Sequence, residues 1–325
     1  MTGSSALTPA ASWPLSYRLI GENAGIAQQF SALLYSCGFL PSSDNAPITI
    51  EVGTSTSSDA AGCDPIFDWR DLSIRREAER IWFNYRAFQL ELDMTTLSLK
   101  CLGPDSEVVD TLNFREFFLL GPLLFLMHKL GYYEMHAAAC TLEEHGYLFL
   151  GPSGSGKTST LLSLIALGAK YLSDDALVVS RVRGGGLAVR ALRRSFSLKS
   201  DYLRHHPELA TYATEVVRGT EKRRIDPRQI WPEQYVSAVQ PQFIIACKLV
   251  NQETSEIVSI SKAEALARLV GSTPWIGFDR SSAPDQLGVF RALAESCRTF
   301  ELKAGRDVFR NGNRLASLIS PNILA

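Results

Sequence analysis

Several absences narrow this sequence before any motif is read. It has no excess of charge: 33 Lys and Arg stand against 34 Asp and Glu, a formal net charge of −1. Such a balance leaves no electrostatic footprint for nucleic acid or an anionic membrane. It has no long apolar run. The most apolar stretch, Phe117 to Met127, is too short to span a bilayer and is interrupted by Gly121 and Pro122, so it reads as a buried helix. It has no cysteine framework either. Cys37, Cys63, Cys101, Cys140, Cys247 and Cys297 are scattered, with no C-x-x-C and no Cys/His cluster, and read as reduced core thiols. Met1 to Pro14 offers no basic residue ahead of an apolar core, as a signal peptide requires. A cytoplasmic protein with neither nucleic acid nor membrane as partner is the expectation, and no internal repeat is visible.

What remains is an ordinary globular composition, 46% apolar and 21% charged over 325 residues. At roughly 150 residues per domain, that length suggests about two domains. After a loose tail, Tyr17 to Ile20 reads as a strand, Gly25 to Cys37 as a helix and Thr54 to Gly62 as a loop. Arg80 to Tyr85, Phe88 to Asp93 and Thr96 to Leu102 have the pattern of an antiparallel meander. Residues 14–115 are thus expected to form a small α+β region. From 116 to 325 the pattern is α/β. Pro122 to Lys129 reads as a helix, and Glu134 to Leu142 as one strand turned by a hairpin into Tyr147 to Leu150. A helix from Lys157 is stopped by Gly168, and short strands flank Asp174-Asp175. Later strands, Gln242 to Val250 and Glu256 to Ile260, lead to a capping-box helix at Ser261 and a helix from Gln286 to Cys297.

Gly151-Pro152-Ser153-Gly154-Ser155-Gly156-Lys157-Thr158 satisfies G-x-x-x-x-G-K-[ST] in full, between an apolar strand and a helix. Gly154 and Gly156 allow a tight turn that points successive N–H groups at a polyphosphate, and the helix N-terminus adds to that field. Lys157 can set a point charge on the β and γ phosphates, and the Thr158 hydroxyl can take a Mg²⁺ coordination site. A nucleoside triphosphate with Mg²⁺ is the expected ligand; the loop alone does not choose between motor, GTPase, transporter ATPase and kinase. Asp175 follows Thr158 by 17 positions (175 − 158). One carboxylate of the Asp174-Asp175 pair could hold metal while the other accepts a hydroxyl proton; a solvated Asp-Asp turn is the plain alternative. His136 precedes Lys157 by 21 positions (157 − 136), either beside the phosphates or as a core histidine. Arg193, Arg194, Lys222, Arg223 and Arg224 read either as solvated cations or as contacts for phosphate or an acidic substrate.

Taken together, Met135-His136, the loop Gly151–Thr158, the helix closed by Gly168 and Leu172-Ser173-Asp174-Asp175 resemble the catalytic domain of HPr kinase/phosphorylase. That family is distantly related to ATP-dependent phosphoenolpyruvate carboxykinase. The resemblance implies a P-loop kinase domain of this type at 116–325, preceded by the small α+β region. It implies Asp175 as acceptor of a substrate hydroxyl proton, with His136 and Lys157 as accompanying catalytic residues and Thr158 as the metal-binding hydroxyl. Asp174 is then the metal-side carboxylate. The chain departs from the family at its second signature, Glu-[Val/Ile]-Arg-Gly-x-Gly. The nearest echo, Glu215-Val216-Val217-Arg218-Gly219, has an extra residue, lacks the last glycine and sits further along. An ATP-dependent kinase acting on a serine of a protein or peptide is the leading expectation, with self-association left open. A catalytically inert nucleotide-binding regulatory or assembly subunit is the alternative, and the departure favours it. No N-K-x-D motif supports a GTPase.

Overall fold

The structure, a computed structural model, describes residues 13–43, 46–54, 63–104, 113–216 and 220–320. The expected tail through residue 12 and loop residues 55–62 lie outside the described residues. So do the last three residues of the Glu215–Gly219 echo. The chain forms two compact units, one of 13–132 with 277–280 and the other of 133–276 with 281–320.

In the first unit, β1 (Ser16–Gly21) runs into α1 (Ala24–Ser36), which Asn23 caps by accepting from the Ile26 N–H at 3.0 Å. Ile26, Phe30, Leu33 and Leu34 recur at helical spacing and are the residues α1 buries. The chain continues through β2 (Leu40–Pro41) into β3 (Ile48–Gly53), parallel to β1. Then β4 (Asp64–Trp69), β5 (Leu72–Glu77), β6 (Arg80–Tyr85), β7 (Phe88–Asp93) and β8 (Ser98–Leu102) follow as an antiparallel meander. The resulting eight-stranded sheet has the order β2-β1-β3-β8-β7-β6-β5-β4. The meander is longer than its sequence signal because the turns after β4 and β5 place Arg70 and Ala78 at φ 51° and 50°, left-handed without glycine.

A π-helical turn, Phe114–Leu119, leads into α2 (Leu120–Lys129), where Pro122 sits in the tolerated first turn. Phe114 packs on Tyr85 and Phe88, with ring centroids 5.5 and 5.1 Å apart, and Phe125 packs on Phe83 at 5.7 Å. Those aromatic contacts hold α2 to the meander. The compact units therefore part at Tyr132/Tyr133 and not at the expected 115/116.

The second unit is built on a six-stranded sheet. Its strands are β10 (Ala138–Leu142), β11 (His145–Leu150), β12 (Lys170–Ser173), β18 (Pro241–Leu249), β19 (Glu256–Ser259) and β20 (Arg298–Ala304), in the order β12-β10-β11-β18-β20-β19. A three-stranded sheet joins β9 (Tyr133–Met135), β13 (Leu177–Arg181) and β14 (Leu187–Ala191). Another joins β15 (Phe196–Lys199), β16 (Ala213–Val216) and β17 (Lys222–Ile225). Strand alternation splits the core in two. On one side, Tyr147, Phe149 and Ile245 pack with Leu161 and Ile165 of α3 (Lys157–Ile165) and Leu315 of α9 (Gly312–Ile319). On the other, Leu148, Leu150 and Ile244 pack with Leu269 of α6 (Lys262–Gly271) and Phe290 of α7 (Ala283–Ser296).

One expectation is corrected. Glu134 to Leu142 is not a single strand: it breaks at His136-Ala137 into β9 and β10, which belong to different sheets. The fold is mixed α/β with several sheets, and among the described residues no helix is long and apolar enough to cross a membrane. Cys37, Cys101, Cys140, Cys247 and Cys297 are buried.

Candidate functional site

The glycine-rich loop leaves the carboxyl end of β11. The hairpin before it turns on Glu143 and Glu144 at φ 50° and 63°, the two left-handed positions of a type I′ turn. Within the loop Gly151, Gly154 and Gly156 have φ 145°, 83° and 98°. A Cβ on Gly151 would lie 2.5 Å from Ser155 Oγ, so the first glycine is fixed by space as well as by backbone angle. Lys157 is the first residue of α3, which sets the loop N–H groups at the helix's positive end. Its ammonium is buried and donates to the carbonyls of Gly151 at 2.6 Å and Pro152 at 3.2 Å. Burial pulls the Lys157 pKa down, against the negative charges of Asp175 and Asp174.

The carboxylates and the histidine meet because two chain segments change sheets side by side. β10 pairs with β12, matching Ala139 with Ser173, while β9 pairs with β13, matching Met135 with Leu177. The short links between these pairings carry His136 on one segment and Asp174-Asp175 on the other. His136 Nδ1 lies 3.0 Å from Asp175 Oδ1. The second oxygen, Asp175 Oδ2, accepts from Arg193 Nη1 at 3.1 Å, and Ser173 Oγ in turn donates to the Arg193 carbonyl at 2.7 Å. Burial would raise the Asp175 pKa. The hydrogen bond and charge of His136, followed by Arg193 and Lys222, overcome it and hold the carboxyl well below the usual range.

Asp174 is in the opposite state. It is buried, and its Oδ2 accepts from Thr158 Oγ1 at 3.1 Å and from the Ser197 N–H at 3.3 Å. Among the described residues its Oδ1 has no hydrogen-bond partner. Burial, then the charge of Asp175, pushes its pKa up to about 7. A buried carboxylate oxygen with no donor, next to a hydroxyl, suits a divalent cation shared between Asp174 and Thr158. No group of three or more His, Cys, Asp or Glu side chains able to hold a metal occurs among the described residues.

A cavity of about 260 Å³ is lined jointly by Gly154, Lys157, Thr158, Asp174, Asp175 and His136. Of the five cations singled out in the sequence, Arg193 binds Asp175 and Lys222 lines this cavity, whereas the Arg223 guanidinium donates to the Ala213 carbonyl at 2.9 Å. No such contact with the cavity is seen for Arg194 or Arg224. Lys199 and the Ser197 N–H were not foreseen. Both belong to β15, which pairs with β17 beside the site.

No family model matches the chain, and no curated protein matches it. Among solved structures, the HPr(Ser) kinase/phosphatase from Coxiella burnetii aligns at 17% identity with a TM-score of 0.24, over 39% of this chain and 72% of that one. That likeness is too slight to define the fold's type.

Proposed function

We propose that the second unit is a P-loop phosphotransferase of the HPr kinase/phosphoenolpyruvate carboxykinase type, moving the γ-phosphoryl of Mg·ATP to a hydroxyl, a serine of a protein or peptide. The observation that carries this reading is the single cavity shared by the loop, Thr158, both aspartates and His136. A solvated Asp-Asp turn would not bury Asp174 or bond its neighbour to His136 and Arg193.

In this reading the N–H groups of residues 151–158 and the Lys157 ammonium bind the phosphates. Thr158 and Asp174 would hold Mg²⁺, whose chemistry there would be neutralisation of phosphate charge. Asp175 receives the acceptor hydroxyl in a hydrogen bond. Held strongly acidic by His136 and Arg193, it orients the hydroxyl more than it pulls the proton away early. That suits a loose transition state, in which the nucleophile loses its proton late.

The second reading is an inert nucleotide-binding subunit, favoured by the altered second signature. Incubating the full chain with γ-labelled ATP, Mg²⁺ and a cell extract separates the two. A single labelled acceptor, lost in Asp175→Asn, is the expected result. ATP binding without transfer under any condition would favour the inert subunit.

A further inference from the structure

Two lysines stand directly opposite each other in the small sheet beside the loop. Lys199 ends β15, Lys222 opens β17, and the antiparallel register pairs them. Opposite residues leave the same face of a sheet. Phe196, Leu198 and Ile225 enter the core, and both lysines line the cavity shared with the loop. Like charges directly opposite weaken strand pairing, yet among the described residues neither ammonium belongs to an ion pair that would relieve it. Nor can the strands splay easily here, because the Ser200 N–H and hydroxyl both donate to the Glu221 carbonyl, at 3.0 and 2.7 Å.

The positions of the two charges define what could satisfy them. Lys199 Nζ lies 3.9 Å from where a Cβ on Gly154 would be, directly above the middle of the loop. The Lys222 charge bears on Lys157, Asp174 and Asp175 together. An anion touching both ammonium groups must therefore sit between the loop backbone and the aspartate pair. If the loop and the start of α3 hold two phosphoryl groups of a nucleotide, a third is the group that would reach this place.

We propose that Lys199 and Lys222 clamp the terminal phosphoryl of a nucleoside triphosphate and make the site select triphosphate over diphosphate. The inference rests on the nucleotide reading above. Two compact ammonium charges suit a phosphoryl group that presents several equivalent oxygens, without the planar fork that arginine would impose.

The test is calorimetry on the full chain with Mg·ATP and Mg·ADP. The wild type is expected to bind ATP at least about tenfold more tightly than ADP. Lys199→Gln and Lys222→Gln should each weaken ATP binding by about tenfold, the smaller end of a charge-assisted bond, and leave ADP within about twofold. Lys199→Arg, which keeps the charge, should retain most of the preference. Removing the repulsion should leave the melting temperature of each Gln variant unchanged or higher, so a loss of ATP affinity cannot be read as unfolding. Equal binding of ATP and ADP by the wild type overturns the clamp, as does a parallel loss of both nucleotides in the Gln variants. Gln variants that keep the ATP preference but bind an acidic acceptor peptide more weakly overturn it in favour of that occupant. If the wild type binds neither nucleotide, the underlying reading fails. If Lys157→Ala weakens both affinities while the Gln variants keep the wild-type ratio, only the clamp fails.

Discussion

The two units use the same antiparallel pairing to opposite ends. In the first, five strands run from β4 to β8 without leaving their sheet, and side chains such as Phe83, Leu90 and Leu92 vanish into one packed face. In the second, the chain repeatedly abandons one sheet for another, and the polar residues of interest occupy the links: His136 between β9 and β10, Asp174-Asp175 between β12 and β13. Adjacent side chains of a strand leave opposite faces, so two neighbouring carboxylates could not both turn toward one cavity there. A link between sheets has backbone to spare and neighbours on two sides. Packing is thus concentrated where strands continue, and the clustered polar side chains where they stop.

If that contrast is sound, truncating a side chain should destabilise the meander but cost the junction mainly affinity or rate. The largest effect expected is in the meander. Phe83→Ala removes a fully buried ring packed on Phe125 and should cost about 3–5 kcal/mol in urea unfolding. At the junction, Asp175→Asn should lower phosphoryl transfer by on the order of 10²-fold while ATP still binds. The low end of general-base effects applies because the loose transition state asks little of a base. Single-turnover kinetics with labelled ATP would check it, and an unchanged rate would remove Asp175 from the mechanism. Lys157→Ala should weaken Mg·ATP binding by about 1.5–3 kcal/mol, the worth of a charged hydrogen bond. Unchanged affinity by calorimetry would mean the loop is not the nucleotide site.

The smallest effect has the most telling sign. The native Asp174 pKa, about 7, lies above the ordinary carboxylate value of about 4. Between those values the folded chain keeps a proton that the unfolded chain has released. This group's contribution to stability is therefore complete below about pH 4 and lost as pH rises through 7. Asp174→Asn should escape that loss, matching the wild type near pH 4 and gaining about 1–2 kcal/mol at pH 8. The same variant should need more Mg²⁺, and wild-type Mg²⁺ affinity should climb toward pH 7 and level off above it. A variant less stable than wild type at pH 8 would break the contrast between the units.

Sequence disclosed these two kinds of region unequally. The loop is contiguous, and its glycines, lysine and threonine carry their spacing in the chain, so Gly151–Thr158 could be read directly. The Asp174–Thr158 and Asp175–His136 contacts could be suspected but not measured, since they depend on a register shared by four strands. Arg193 stood among five cations with nothing in the linear order to separate it from Arg194. Lys199 was invisible, because its significance lies in a cross-strand partner 23 positions away (222 − 199). β4 and β5 were missed for another reason. Their turns use Arg70 and Ala78 in a conformation that glycine or asparagine usually announces.

The four residues Gly277–Arg280 bear on how the protein could be taken apart. They belong to the first unit although 277 follows 144 residues of the second (133–276), and Asp279 lies 2.9 Å from His128 with both side chains wholly buried. Among the described residues the covalent chain therefore passes between the units three times, after 132, after 276 and after 280. A cut at 132/133 would separate neither unit from the other. A fragment ending at Tyr132 would hold His128 in an interior stripped of this carboxylate, a costly arrangement for a buried polar group. The first unit is better regarded as a split fold whose last piece is supplied late in synthesis.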